Sequence, residues 1–194
     1  MYELPTSIEV NGRKYKIRNR ADYRMILSCF DALNDEELTL YERTMAALII
    51  FYEDFNELDD VANWEDLDEG IQKMYDFFNC NQPEIKQSHN SYNLIDWNAD
   101  ANLICSAINV VAQKEIRAEK YMHWFTFFGY YMAIGECVLT SIITIRYKIA
   151  SGTKLEKHEQ KFKEENPQYF NRDMRSIQDK ADDEWLRQMW NSNS

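Results

Sequence analysis

Apolar positions recur at helical spacing along most of this chain, and they crowd together in residues 121–134. There Tyr121, Trp124, Phe125, Phe127, Phe128, Tyr130 and Tyr131 fall on every side of a 3.6-residue period. A helix that is apolar all round is buried all round, or it lies in a membrane. The apolar run 121–145 is long enough to span a bilayer. Glu136 sits inside it, however, and a carboxylate at the centre of a membrane helix costs roughly 2.5–3.5 kcal/mol. His123, Thr126, Thr140, Ser141 and Thr144 dilute the run further. The pattern fits two helices joined near residues 135–138, the first of them the buried central helix of a bundle.

Upstream, Ile8, Val10, Tyr15 and Ile17 flank Asn11-Gly12. Asn-Gly favours the two-residue hairpin turn, which needs positive φ at both positions. The chain therefore opens with a β-hairpin carrying Arg13, Lys14, Lys16, Arg18 and Arg20. An isolated hairpin is marginal in water, so it either docks on the helices or offers its edge to another chain. Residues 22–33 form a first helix, with Tyr23, Ile26, Leu27, Phe30 and Leu33 on one face. Residues 39–52 form a second, opened by a Thr39–Glu42 capping box. Its core candidates are Leu40, Met45, Leu48, Ile49 and Tyr52. A third helix, 66–79, shows Ile71, Met74, Tyr75 and Phe78 on one face. Residues 81–93 are polar, with Pro83, Ser88, Asn90 and Ser91, and predict a loop that also carries His89.

Asp96 is the expected cap of a fourth helix, 97–115, with a stripe of Leu103, Ile104, Ala107, Ile108, Val111 and Ala112. After the central helix, residues 138–150 form a sixth helix with Leu139, Ile142, Ile143 and Ile145. Arg146 and Lys148 near its C-terminus complement the helix dipole, and Ser151-Gly152 stops it. A charged seventh helix, 154–166, ends at Pro167. In the tail, residues 176–190, Ile177, Ala181, Trp185 and Met189 or Trp190 recur at i+4. Such a helix either docks on its own domain or waits for a groove in another chain. Trp is enriched at binding hot spots, so Ile177, Trp185, Met189 and Trp190 are the candidate partner-binding residues.

The expected fold is mainly α: a multi-helix globular bundle around a buried central helix, with a short N-terminal β-hairpin and an amphipathic C-terminal helix. The hairpin occupies residues 1–20, the helical domain 21–166 and the tail 167–194. The expected structural core includes Trp97, Ile104, Ile108, His123, Trp124, Phe127, Phe128, Tyr131 and Glu136, with Glu136 paired to Arg117 or Arg146.

A length of 194 residues suits one domain with an appendage. Five glycines and three prolines argue for long helices over a turn-rich β fold. The net charge of −11 opposes nucleic-acid binding, which needs cations to neutralise phosphates. Residues 31–69 are the most acidic stretch, with Arg43 as their only Arg or Lys. Within them Asp54 to Asp60 lacks the glycine turn and alternating oxygen ligands of a calcium loop, so the stretch reads as a solvated face that repels anions and attracts basic partners. Cys29, Cys80, Cys105 and Cys137 are widely spaced and read as small hydrophobes in a reducing compartment. No basic flank and apolar core of a signal peptide opens the sequence.

Catalytic chemistry finds no foothold. His158-Glu159-Gln160-Lys161-Phe162 begins like a zinc-protease motif, but Phe162 stands where the second histidine ligand is required. No phosphate-cradling glycine loop and no nucleophile elbow is present. His123, on the central helix, reads as a packed, hydrogen-bonded residue. No enzyme, metal or cofactor is expected. The opposing reading is an enzyme or anti-defence protein with a concealed site around His123.

Several stretches resemble a small family of tailed-phage proteins. They are Asp96-Trp97-Asn98-Ala99-Asp100-Ala101-Asn102-Leu103-Ile104, then Ser106-Ala107-Ile108-Asn109. They continue with His123-Trp124-Phe125-Thr126-Phe127-Phe128-Gly129-Tyr130-Tyr131-Met132 and Ile134-Gly135-Glu136. Further on come Ser141-Ile142-Ile143-Thr144-Ile145-Arg146 and Gly152-Thr153-Lys154-Leu155-Glu156-Lys157. Asp22-Tyr23-Arg24 and Phe30-Asp31-Ala32-Leu33 resemble the family's first helix. The likeness covers residues 22–166, less clearly over 54–93. Such proteins occur in siphophages and prophages of Gram-positive bacteria, encoded between the major tail protein and the tape measure protein. The resemblance implies a non-catalytic tail assembly chaperone that binds the tape measure protein and assists tail tube polymerisation. Its implied partners are the tape measure protein and the major tail protein, with self-association open and neither nucleic acid nor membrane involved. It is expected in the host cytoplasm during assembly and absent from the mature virion. The alternative is a structural virion protein, such as a tail completion or neck component.

Overall fold

The structure, a computed structural model, describes residues 3–55, 64–82 and 92–172. These residues are mainly helical, with a two-stranded antiparallel hairpin at the start. β1 (Ser7–Val10) pairs with β2 (Arg13–Lys16), joining Ile8 to Tyr15 and Val10 to Arg13. Asn11 and Gly12 take φ of 47° and 79°, the double positive φ that the Asn-Gly pair predicts. Val10, Tyr15 and Ile17 are buried, and Ile17 bridges to Tyr52, so the hairpin docks on its own chain.

The helices are α1 (Tyr23–Leu33), α2 (Leu40–Phe51), α3 (Trp64–Phe78), α4 (Ala101–Ala112), α5 (Trp124–Met132), α6 (Val138–Ala150) and α7 (Lys157–Glu165). Asp22 caps α1 by accepting from the Arg24 backbone N–H. The Thr39 hydroxyl and the Glu42 carboxylate close the expected capping box of α2. α6 ends as expected at Gly152, whose φ is 69°. There Thr153 N–H donates to Lys148 O at 2.8 Å and Gly152 N–H to Ile149 O at 3.2 Å. That pair of bonds is the Schellman closure, and it satisfies carbonyls the helix leaves open. α4 is shorter than expected: Asp96 caps a separate turn, accepting from Asn98 and Ala99, and the helix proper starts at Ala101. No helix among the described residues is long and apolar enough to cross a membrane.

The chain divides into two compact units, Met1–Pro83 with Ile104–Ile134, and Glu84–Leu103 with Gly135–Ser194. The division cuts through α4 and falls just after α5. In the first unit α1 and α2 form a helical hairpin, and aromatic rings fill its core. Tyr23 stacks on Phe127 at 4.4 Å, and Phe30 meets the edges of Phe78 and Trp124. Phe51 packs between Phe77 and Phe78. In the second unit Ile142, Ile145 and Phe170 form the core, with Leu103, Ile149, Leu155 and Phe162 against them.

The central helix departs from expectation. α5 buries Trp124 and Phe127, but Phe128 and Tyr131 are half-buried and Met132 is 62% exposed. Apolarity on every side gives burial on every side only where neighbours cover every side. α1 and α3 meet α5 through Tyr23, Phe30, Phe77 and Phe78, which contact Phe127, Trp124 and Phe125 at its N-terminal half. Glu136 is exposed in the bend before α6 and is not a core residue. The arginines expected to pair with it bind Glu115 and Asp100 instead. Trp97 is half-buried, while Ile104, Ile108 and His123 are buried. Of the cysteines, Cys29 alone is fully buried, and all four are free thiols.

Candidate partner-binding surface

The chain leaves β2 through an unusual turn. Asn19, Arg20 and Ala21 have φ of 51°, 54° and 60°, three consecutive left-handed residues with no glycine among them. Each such residue costs roughly 1–2 kcal/mol relative to right-handed backbone. The surrounding structure holds them in place. Arg20 N–H donates to Ile17 O, and Asp22 N–H to Asn19 O, each at 3.2 Å. Ala21 is fully buried. The Tyr121 hydroxyl donates to Arg20 O at 2.9 Å from 101 residues away. One residue on, Asp22 accepts from Met122 N–H at 3.0 Å, and Tyr23 N–H donates to Met122 O at 2.9 Å. The segment 121–123 therefore straps the turn into place.

Arg18 closes the other side. Its guanidinium donates to the carbonyls of Ile49, Ile50 and Tyr52 at 3.0–3.1 Å and so caps the C-terminus of α2. Arg24 pairs with Asp22 at 3.2 Å and donates to Glu119 O at 2.7 Å. Between these walls lies an open groove of about 790 Å³, lined by Arg18, Arg20, Arg24, Lys120, Asp22 and Tyr121 among others. Arg20 lies over the Tyr121 ring, 5.5 Å from its centroid. Burial raises the pKa of the Tyr121 hydroxyl from its ordinary value, which favours the protonated form that donates to Arg20 O. The hairpin cations Arg18 and Arg20 stand out in the sequence, but Lys120 gives no sign there of joining them.

His123 is the N-cap of α5, not a residue within it. Its Nδ1 accepts from Phe125 N–H at 3.0 Å, so the ring proton lies on Nε2, which faces Pro5 O at 2.8 Å. Burial lowers its pKa and the Pro5 carbonyl opposes that shift without overcoming it. Both ring nitrogens are thus engaged in holding α5 and the chain's start.

A second surface feature lies on α2. Its buried face is Ala47, Leu48 and Phe51. Beside that face Tyr41 is 61% exposed and Ile49 49%, with half-buried Met45 between them at i+4 spacing. Leu40 is 78% exposed. Leu40 and Ile49 are therefore surface residues and not the core positions expected. From Met45 onward the helix is apolar on all sides, so its pattern alone does not reveal which side is covered.

In the second unit Arg146 is buried and donates to both carboxylate oxygens of buried Asp100, to Leu94 O and to Tyr169 O. Among the described residues every buried side-chain nitrogen and oxygen has a hydrogen-bond partner. The candidate partner-binding residues Ile177, Trp185, Met189 and Trp190 lie outside the described residues, as does His89.

Residues 1–170 match the sequence model of a phage protein family described as Bacteriophage Gp15 protein. The chain belongs to that family and is a phage protein. A search of curated proteins and a search of solved structures each returned no match.

Proposed function

We propose that this phage protein is a tail assembly chaperone that binds the tape measure protein, keeps it soluble and assists tail tube polymerisation without catalysis. The exposed apolar side chains of Tyr41 and Ile49, with half-buried Met45 between them, on a chain of net charge −11 carry this reading. A chaperone for a long polypeptide needs apolar surface to hold its client and like charge to keep the loaded complex dispersed. Phage family membership and the resemblance of residues 22–166 to tail assembly chaperones support the same reading. The major tail protein is a second partner, and the host cytoplasm is the place of action.

Co-expression with the tape measure protein, followed by size-exclusion chromatography with light scattering, tests the proposal. A soluble complex with many copies per tape measure chain is expected. An aggregated tape measure beside free chaperone would overturn it. The alternative, a structural virion component of the tail completion or neck type, draws on the same family membership. Mass spectrometry of purified virions separates the two: a chaperone is missing from the particle, and a structural protein is present.

A further inference from the structure

We propose that the groove around the left-handed turn binds an acidic linear segment of a partner polypeptide, with Arg20 and Lys120 receiving its carboxylates. The first argument is charge. The chain carries 33 acidic and 22 basic residues, yet this groove gathers four cations around the single carboxylate of Asp22. Arg24 matches Asp22, and Arg18 turns its guanidinium to backbone carbonyls. Arg20 and Lys120 are exposed, and neither has a carboxylate within ion-pair distance among the described residues. Among the described residues these two cations of the groove have no carboxylate partner, which leaves them available to an outside anion.

The second argument is preorganisation. Arg18 and Arg24 act as struts, and Tyr121 supports Arg20 from below while holding its carbonyl. Strain in non-glycine left-handed residues persists where surroundings over-determine it, and it gathers at functional sites. Holding the cations in advance lowers the ordering cost of binding. The third argument is shape and chemistry. The groove is open and Met25 and Ile50 also line it, so it offers apolar contact beside charge. That combination fits a polypeptide with mixed acidic and apolar side chains. A nucleic acid needs many neutralised phosphates and would meet the repulsive field of a −11 chain. The inference stands apart from the chaperone reading, because it holds whichever phage protein supplies the segment.

The test is fluorescence anisotropy of a fluorescein-labelled Glu-Leu repeat peptide titrated with the full chain, beside a Lys-Leu counterpart. The acidic peptide is expected to bind, the basic one not, and binding is expected to weaken as salt rises. The double variant Arg20→Gln/Lys120→Gln is expected to lose about tenfold or more in affinity. Lys120→Gln alone, an exposed change that leaves the turn's hydrogen bonds in place, is expected to lose part of that. Equal binding by the variants, equal binding of both peptides, or no binding to the native chain would overturn the assignment. So would displacement of the peptide by single-stranded DNA at lower concentration, which assigns the groove to phosphates. Self-association that vanishes in the double variant while the peptide fails to bind assigns it to a second copy.

Discussion

The guanidinium of Arg146 grips the carboxylate of Asp100 with two bonds, Nη1 to Oδ2 at 2.6 Å and Nη2 to Oδ1 at 2.9 Å, and both side chains are 2% exposed. The bond joins α6 to the turn before α4. The same guanidinium holds Leu94 O and Tyr169 O, and Arg172 reaches Asp100 at 3.3 Å. One buried cation thus ties three separate segments of the second unit. Removing Arg146 leaves Asp100 charged and buried with only Arg172 and the Asp96 backbone N–H against it, which costs up to about 3–5 kcal/mol. Arg146→Met is expected to lower unfolding stability by that amount in urea denaturation. Arg146→Met/Asp100→Leu is expected to recover much of the loss, because a buried ion pair replaced by apolar groups is often nearly neutral.

The acid side of the stability curve has two separate parts. His123 has a folded pKa below its ordinary 6.5, first through burial. The unfolded chain therefore takes up a proton near pH 6.5 while the folded chain does not, and stability falls as pH drops below that value. A protonated Nδ1 also loses its ability to accept from Phe125 N–H. Burial would raise Asp100, but hydrogen bonds from Arg146 and the Asp96 backbone, with the charges of Arg146 and Arg172, hold it below 3.8. Glu115, bonded to Arg117, is held down to about 2. Both contribute stability that is present above their unfolded values and lost as pH falls through the lower folded ones. Thermal midpoints from pH 8 to pH 3 are expected to show two successive declines. His123→Gln is expected to remove the upper one and to lower stability by about 1 kcal/mol through the lost cap. A decline near pH 6 that survives the substitution would refute the assignment to His123.

Local chemistry in the sequence was readable where it rests on neighbours in the chain. Asn11-Gly12 set the hairpin, Thr39 with Glu42 started α2, and Ser151-Gly152 stopped α6, all as expected. The left-handed turn was not readable, because Asn19-Arg20-Ala21 contains no glycine to announce it. What holds it is Tyr121 and Met122, about 100 residues downstream. Arg146 was legible as a helix C-terminal cation, but its partner Asp100 lies 46 residues away. Glu136 read as buried because its sequence neighbours are apolar, yet the bend after α5 leaves it in solvent. The basic groove is not legible in the sequence because its cations come from separate places: Arg18 and Arg20 from the hairpin's end, Arg24 from α1 and Lys120 from just before the strap.

Helix ends supply a third prediction. Gln113 follows α4 with φ of 54°, in the position where helices usually place glycine, and Lys114 N–H reaches back to Asn109 O at 3.3 Å. A side chain there is strained, and glycine adopts the conformation freely. Gln113 is exposed, so no packing is lost. Gln113→Gly is expected to raise stability by up to about 1 kcal/mol, after subtracting the greater entropy of glycine in the unfolded chain. A higher urea midpoint with unchanged slope is the signature.

The exposed row on α2 separates folding from function. Tyr41 and Ile49 stand on the surface, so charges placed there leave the core of Ala47, Leu48 and Phe51 undisturbed. Surface substitutions away from caps and cores usually change stability by no more than about 0.5 kcal/mol. Tyr41→Lys/Ile49→Lys is therefore expected to melt like the native chain. If the row holds the tape measure protein, the same variant is expected to leave that partner insoluble on co-expression, because a lysine pair desolvated against an apolar surface is unfavourable. Native-like melting with full solubilisation would move the client surface elsewhere on the molecule. Early melting would show instead that the row packs within the fold.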